Sequence, residues 1–254
     1  MMNWCVVILV AMLTMPAIQN VKAEQITVAA ASNFSGAMDE IVTRFEEQSG
    51  HRVKVSYGSS GKLFAQVQHG APFQAFFSAD QAKPMALEKA GLVVPGSRFT
   101  YALGGLVLWS SQPELVDEEV HVLKQGNFNK LALANPKLAP YGAAAVEVLQ
   151  VMDLFEVTSA KWVRGENISQ TFQFVATGNA DLGFVALSQV MQQGLINEGS
   201  YWIVPAQLYS PIRQDAVLLN RGKNSAGARA LLGFVKGEIG KGIIENYGYQ
   251  VGMQ

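Results

Sequence analysis

Hydrophobic and polar positions change period repeatedly along this chain. Residues 26–31, ITVAAA, form a short apolar run that predicts a buried strand. Phe34, Ala37, Met38, Ile41, Val42 and Phe45 then recur at helical spacing, one apolar stripe that Gly50 ends. VKVSY at 53–57 alternates and predicts a strand. Ser59-Ser60-Gly61 opens a second helix, with Leu63, Phe64 and Val67 as its inner face and Gly70 as its stop. FQAFFSA at 73–79 reads as a third strand, and Asp80 is a good N-cap for a helix ending near Gly91. The order β-α-β-α-β-α predicts an α/β fold, a parallel sheet covered by helices.

A second set follows. TYALGGLVLWS at 100–110 reads as one continuous strand crossing, and LALA at 131–134 as another strand. A helix is expected from Tyr141 to Val151 behind Pro140, and another from about Ile168 to Thr177. DLGFVAL at 181–187 and WIVP at 202–205 complete the set. DAVLL at 215–219 and a helix near 224–237 predict a return to the first unit. No internal repeat has solenoid spacing.

Composition narrows this picture. The 254 residues suffice for two lobes, each with its own core. Charged residues make up only 15%, with no basic run, which argues against a nucleic-acid partner. The apolar run WCVVILVAML at 4–13 is too short to span a bilayer, and Pro16 and VKA at 21–23 follow it. Residues 1–23 therefore read as a signal peptide cleaved after Ala23, which predicts export. Cleavage removes Lys22 and Cys5, leaving 18 basic residues against 20 acidic and no cysteine for a disulfide or thiolate metal site. His51, His69 and His121 lack metal-ligand spacing and read as surface or polar-satisfying residues. Trp162 and Trp202 read as core or lobe-face aromatics, and Asp39, Glu40, Glu46 and Glu47 as the wet face of a helix.

The stretch SYGSSGKL at 56–63 carries the most chemistry. It is not a Walker A loop, because Leu63 follows Gly61-Lys62 and Ser56 stands where the first glycine belongs. Ser59-Ser60-Gly61-Lys62 fits S-x-x-K, the nucleophile pattern of penicillin-recognising enzymes, but neither Ser-Asp-Asn nor Lys-Thr-Gly follows. A third reading comes from the other helix starts. Four times a strand end runs into a helix through small or hydroxyl residues: Ser32-Asn33, Ser59-Ser60, Pro140-Tyr141-Gly142 and Asn167-Ile168-Ser169. Helix N-termini expose unpaired N–H groups and partial positive charge, and open α/β sheets bind ligands at strand carboxyl ends. Four such ends in one cleft would hold a small dianion without a cation. The alternative is that each Ser or Asn is only an N-cap.

AAASNFSGAM (29–38), SYGSSGKLFAQV (56–67), GAPFQAFFSADQ (70–81), NPKLAPYG (135–142) and GNADLGFVA (178–186) closely resemble the periplasmic molybdate-binding proteins of ABC importers. The resemblance runs in order along nearly the whole chain after residue 23. It implies a two-lobed periplasmic binding protein of the second type, each lobe a mostly parallel sheet flanked by helices, with the cleft between them. Lobe I is then 24–101 plus 209–254, and lobe II is 102–208. It further implies molybdate or tungstate as ligand, no cofactor, no catalysis, a membrane permease as partner and a monomeric protein in the periplasm. By alignment the binding positions fall on Ser32, Asn33, Ser60, Tyr141 and Ile168, as contacts to the oxyanion rather than ligands to the metal itself. Some members carry a binding tyrosine where Ala186 stands here, and others have one after the proline of the lobe II helix, which here is Tyr141. Pro140 is expected to aim the N–H of Tyr141 into the cleft, with its phenol as a second donor across the gap. Ser60 is then an anion donor, and Lys62 a solvated helix residue. The rival readings are another tetrahedral oxyanion such as sulfate, and a secreted serine hydrolase using Ser59 or Ser60. Phosphate would call for an acidic acceptor, which none of the four helix starts offers.

Overall fold

The computed structural model describes residues 23–196 and 198–252. The expected signal peptide therefore lies outside the described residues except for Ala23.

From the N-terminus, β1 (Gln25–Ala31) runs through a 3-10 turn at Ser32–Phe34 into α1 (Ser35–Ser49), which Gly50 caps in the left-handed region at φ 72°. The expected stripe is its inner face, with Phe34, Met38, Ile41 and Phe45 buried. β2 (Arg52–Gly58), α2 (Ser60–Gln68), β3 (Ala75–Phe77), α3 (Ala82–Lys89) and β4 (Phe99–Gly104) follow. The N-cap position of α3 falls on Gln81 rather than the expected Asp80, whose carboxylate, one residue earlier, still accepts from the N–H of Lys83 at 3.0 Å.

The expected continuous strand at 100–110 is two strands. β4 ends at Gly104, and β5 (Leu106–Ser110) begins after Gly105 in a different sheet. An unbroken apolar run cannot reveal such a division, because both halves are buried. The second half then builds α4 (His121–Gln125), β6 (Leu131–Ala134), α5 (Pro140–Val151), α6 (Phe155–Ser159), β7 (Trp162–Gly165), α7 (Ile168–Ala176), β8 (Leu182–Ala186) and α8 (Leu187–Val190). A small hairpin, β9 (Met191–Gln192) with β10 (Leu195–Ile196), leads to β11 (Ser200–Ile203). β12 (Ile212–Leu218) returns to the first sheet, and α9 (Ala226–Lys236) and α10 (Glu238–Asn246) pack on it.

The first sheet has the order β2-β1-β3-β12-β4 and the second β11-β5-β8-β6-β7. In each, four of the five strands run one way. The reversed strand is β12 in the first sheet and β5 in the second, each the strand by which the chain arrives from the other sheet. The sheets are thus mixed in pairing, and the two crossings lie side by side in the fold's centre. The forward strands β1, β2, β6 and β7 aim their carboxyl ends at the gap between the sheets, where parallel sheets place ligands.

Apolar packing bridges that gap. Ala31 and Ala79, at the ends of first-sheet strands, belong to the same buried cluster as Ala139, Tyr141, Ile168 and Ala186. Trp162 and Trp202 pack half-buried on the second core, as expected. His51 is buried, stacks on Phe45 and accepts from the N–H of Glu24 at 3.1 Å. Glu46 departs from the wet-face reading: its carboxylate accepts from the N–H of Val53 and from Arg52, both at 2.7 Å, which lowers its pKa below the usual 4.5.

Candidate functional site

The four helix starts converge on one interlobe region, and a count of their first-turn N–H groups defines what they offer. At α2, Ser59 caps the helix: its Oγ accepts from the N–H of Lys62 at 3.4 Å and its carbonyl from Leu63 at 3.0 Å. Gly61 N–H crosses to the carbonyl of Leu138, on the segment leading into α5, at 2.9 Å. A side chain at Gly61 would place Cβ 3.1 Å from the Leu138 backbone, so this close approach favours glycine. Only the N–H of Ser60 is left. Its hydroxyl oxygen accepts from the N–H of Ala79 at 2.9 Å, so the hydroxyl hydrogen can donate elsewhere.

The other starts give the same result. At α5, Pro140 has no N–H, and Gly142 and Ala143 turn back onto the carbonyl of Ala139, which leaves Tyr141 N–H. At α7, Gln170 and Thr171 bond to the side chain and carbonyl of Asn167, which leaves Ile168 and Ser169. At the turn after β1, the 3-10 turns close Phe34 N–H on the Ala31 carbonyl and Ser35 N–H on the Ser32 carbonyl, which leaves Asn33 without a bond inside the turn. Among the described residues these N–H groups make no bond to a loop carbonyl or a side chain. Ser32 Oγ, on a residue 4% exposed, has no partner among them either.

Contacts across the gap hold the starts together. Ser169 Oγ donates to the Ser32 carbonyl at 3.1 Å, and Ser188 Oγ to the Asn33 carbonyl at 2.8 Å. Lys62, expected to be a solvated helix residue, instead reaches across to Glu166, Nζ to Oε1 2.8 Å, with both side chains about half exposed. The structure thus brings Ser32, Asn33, Ser60, Tyr141 and Ile168 together between the lobes, and it engages the Tyr141 phenol oxygen in a network of side chains. Tyr141 is 1% exposed, and its Oη accepts from Gln214 Nε2 at 3.1 Å. Gln214 Oε1 in turn accepts from Asn33 Nδ2 at 2.8 Å and Tyr101 Oη at 3.0 Å. Tyr249 Oη donates to the Asn33 carbonyl at 2.7 Å, which completes a buried network beneath the gap. Burial pushes the phenols of Tyr141 and Tyr101 well above their usual 10, so they stay neutral. Gly104 is required here, since a Cβ would lie 2.1 Å from Tyr141 Oη.

The network residues Gln214, Tyr101 and Tyr249, and the bridging Ser188, are absent from the expected site. Their partners lie 61 to 216 residues away in sequence, so no local pattern marks them. Ala186, where some relatives of the expected family carry tyrosine, is buried at the end of β8 with its N–H on Gln189. No group of three or more His, Cys, Asp or Glu among the described residues could hold a metal ion. His51 is engaged with Glu24, exposed His121 with Asp117, and His69 lies on the surface at the end of α2, so none stands beside Ser59 or Ser60 as a base.

A family model described as bacterial extracellular solute-binding protein matches residues 26–250. The chain belongs to that family. This solute-binding protein is 52% identical over 228 residues to the molybdate-binding protein ModA of Azotobacter vinelandii, covering 90% of each chain. It is 47% identical to the protein of the same name from Rhodobacter capsulatus, over 89% of this chain and 88% of that one. The solved periplasmic molybdate-binding protein of A. vinelandii superposes with a TM-score of 0.87 at 41% identity, covering 90% of this chain and 100% of its own. The two-lobed α/β architecture expected from the sequence is therefore the architecture of this family.

Proposed function

We propose that the protein captures molybdate, and with it tungstate, outside the cytoplasm and delivers it to the membrane permease of an ABC importer. The carrying observation is the convergence of four helix starts, two from each sheet, whose first-turn N–H groups meet between the lobes. Ser32 and Ser60 add hydroxyls, Asn33 a further N–H, and Tyr141 and Ile168 serve through their backbones. The names of the 52% and 47% identical relatives support the choice of anion.

The donors are neutral, and Lys62, in the first turn of α2 beside Ser60, is engaged by Glu166. A fixed set of N–H and O–H donors suits an anion that carries its full charge and no proton, because it offers nothing to accept one. Helix-terminal partial charge then supplies the electrostatic attraction. In this reading the lobes divide near Gly105 and within 204–211, and they close over the anion as one monomer. The protein binds and does not turn over: Ser59 is spent as a cap, and Ser60 has a backbone partner rather than a histidine. Export follows from the apolar run and VKA at the N-terminus, and N-terminal sequencing of secreted material should begin at Glu24.

Calorimetric titration of the purified protein with molybdate, tungstate, sulfate and phosphate tests this reading. Tight binding of the first two and weak or absent binding of the others is expected. Preference for sulfate would transfer the site to the rival oxyanion.

A further inference from the structure

We propose that Ser169 is a positioning residue that couples lobe closure to the anion through the Ser32–Asn33 peptide group, without touching the anion itself. The inference rests on the oxyanion reading above. Ser169 Oγ donates to the Ser32 carbonyl from the opposite lobe. That carbonyl and the Asn33 N–H are the two ends of one planar peptide unit. A donor on the oxygen end polarises the unit, and hydrogen bonds in such a chain strengthen one another. The Ser35 N–H already bonds this carbonyl within its own lobe, and the Ser169 hydroxyl adds a second donor when the lobes are together, which strengthens the Asn33 N–H further.

Three observations favour this role over a local one. Helix α7 is already capped by Asn167, whose Oδ1 accepts from Gln170 N–H at 2.9 Å, so the Ser169 hydroxyl is not needed for capping. The next carbonyl along, that of Asn33, is held in the same way from the same lobe by Ser188. Beneath them Asn33 Nδ2 is fixed to Gln214 and to Tyr249 Oη, at 2.8 and 2.9 Å, so the peptide has little freedom except at its Ser32 end.

Ser169 also borders a cavity of about 740 Å³ between the lobes, together with Trp109 and Phe172. The indole of Trp109 stacks on Phe172 with ring centroids 5.2 Å apart, which provides a fluorescence reporter beside the bridge. The cavity gives an added methyl at position 169 somewhere to go.

Stopped-flow fluorescence of the full chain with molybdate tests the coupling, comparing wild type, Ser169→Ala and Ser169→Thr. In Ser169→Ala the dissociation rate should rise about threefold to tenfold, the value of one hydrogen bond, with the association rate and the melting temperature without molybdate unchanged. Ser169→Thr should restore slow dissociation. Unchanged dissociation in Ser169→Ala, or a fall in melting temperature that accounts for the loss, overturns the inference while the oxyanion reading stands. Failure of the wild type to bind molybdate overturns that reading and this one with it.

Discussion

The two lobes reach the same small volume with different chemistry. The first sheet contributes side chains as well as backbone: Ser32 and Ser60 bring hydroxyls to strand ends, beside N–H groups. The second contributes backbone alone, from Tyr141 and Ile168, whose side chains face inward. Ile168 is 3% exposed and packs in the second core, and Tyr141 is buried among Gln214 and the other phenols. The hydroxyls that the second lobe does present, on Ser169 and Ser188, are aimed at the carbonyls of Ser32 and Asn33. Under the proposed reading, residue identity matters for anion contact on one side of the cleft, and helix geometry on the other. An apolar isoleucine can stand in a polar site because only its N–H is needed there.

The largest effect should come from the side-chain half. Replacing both Ser32 and Ser60 by alanine removes two hydrogen bonds to a charged group, each worth about 1.5–3 kcal/mol. Titration calorimetry should show molybdate affinity reduced by about two to four orders of magnitude, less whatever coupling the neighbouring sites share. Retained affinity would mean that the backbone groups alone hold the anion, and the contrast between the lobes would vanish.

The backbone half needs a different probe. Ile168 is the first residue of α7, where proline is tolerated, and Asn167 before it is extended at φ −141° and ψ 173°, as proline requires. Ile168→Pro thus deletes one donor at a position that accommodates the ring. Affinity should fall by about 1.5–3 kcal/mol, as for one hydrogen bond to a charged group, while Ile168→Val binds like wild type. Equal loss in both variants would show that the side chain, not the N–H, is what counts.

Tyr141 sharpens the comparison further, since sequence reasoning offers both its N–H and its phenol to the anion, and in the structure the phenol oxygen accepts from Gln214. Tyr141→Phe leaves Gln214 Nε2 buried without this acceptor, at a cost of about 1–3 kcal/mol in folding stability. Thermal or denaturant unfolding should register that loss, with molybdate affinity nearly unchanged. The opposite division, stable protein and weakened binding, would return the phenol to the ligand.

The parts of the fold legible in the sequence are those set by local period. The α1 stripe, the strands ending at Ala31 and Ala134, and the glycine stop at Gly50 follow from spacing and cap chemistry. Helix α10 lies beyond the last element the sequence predicts, with Gly240 and Gly242 weakening its period, although Ile243 and Ile244 bury one of its faces. Strand β7 is only WVRG, too short and too polar to declare itself. The site divides along the same line. Helix starts rich in Ser and Asn are visible because capping is local, while the choice of Ser32, Asn33, Ser60 and Ile168 among them is what the family resemblance implies. The hinge network is invisible, because Asn33 meets Gln214 across 181 positions. Gly104 carries its own constraint only through the phenol that folding brings beside it.

The smallest effect concerns the ion pair that joins the lobes at their rim. Lys62 Nζ and Glu166 Oε1 lie 2.8 Å apart, with side chains 54% and 45% exposed. Exposed pairs contribute about 0–1 kcal/mol, because water and salt screen the charges and two long side chains must be held in place. Lys62→Ala should therefore weaken molybdate binding by less than about fivefold, mostly through faster dissociation, since the pair forms only between closed lobes. Glu166→Gln should match it if the pair acts as a unit. It should differ in direction if Lys62 attracts the anion by itself, because freeing the ammonium would then strengthen binding. Raising the ionic strength should erase the difference between Lys62→Ala and wild type but leave the cost of losing Ser32 and Ser60, whose hydroxyls bond at short range where salt does not screen. A loss from Lys62→Ala as large as that of the two serines would make the site cationic, and the neutral-donor account of both lobes would fail together.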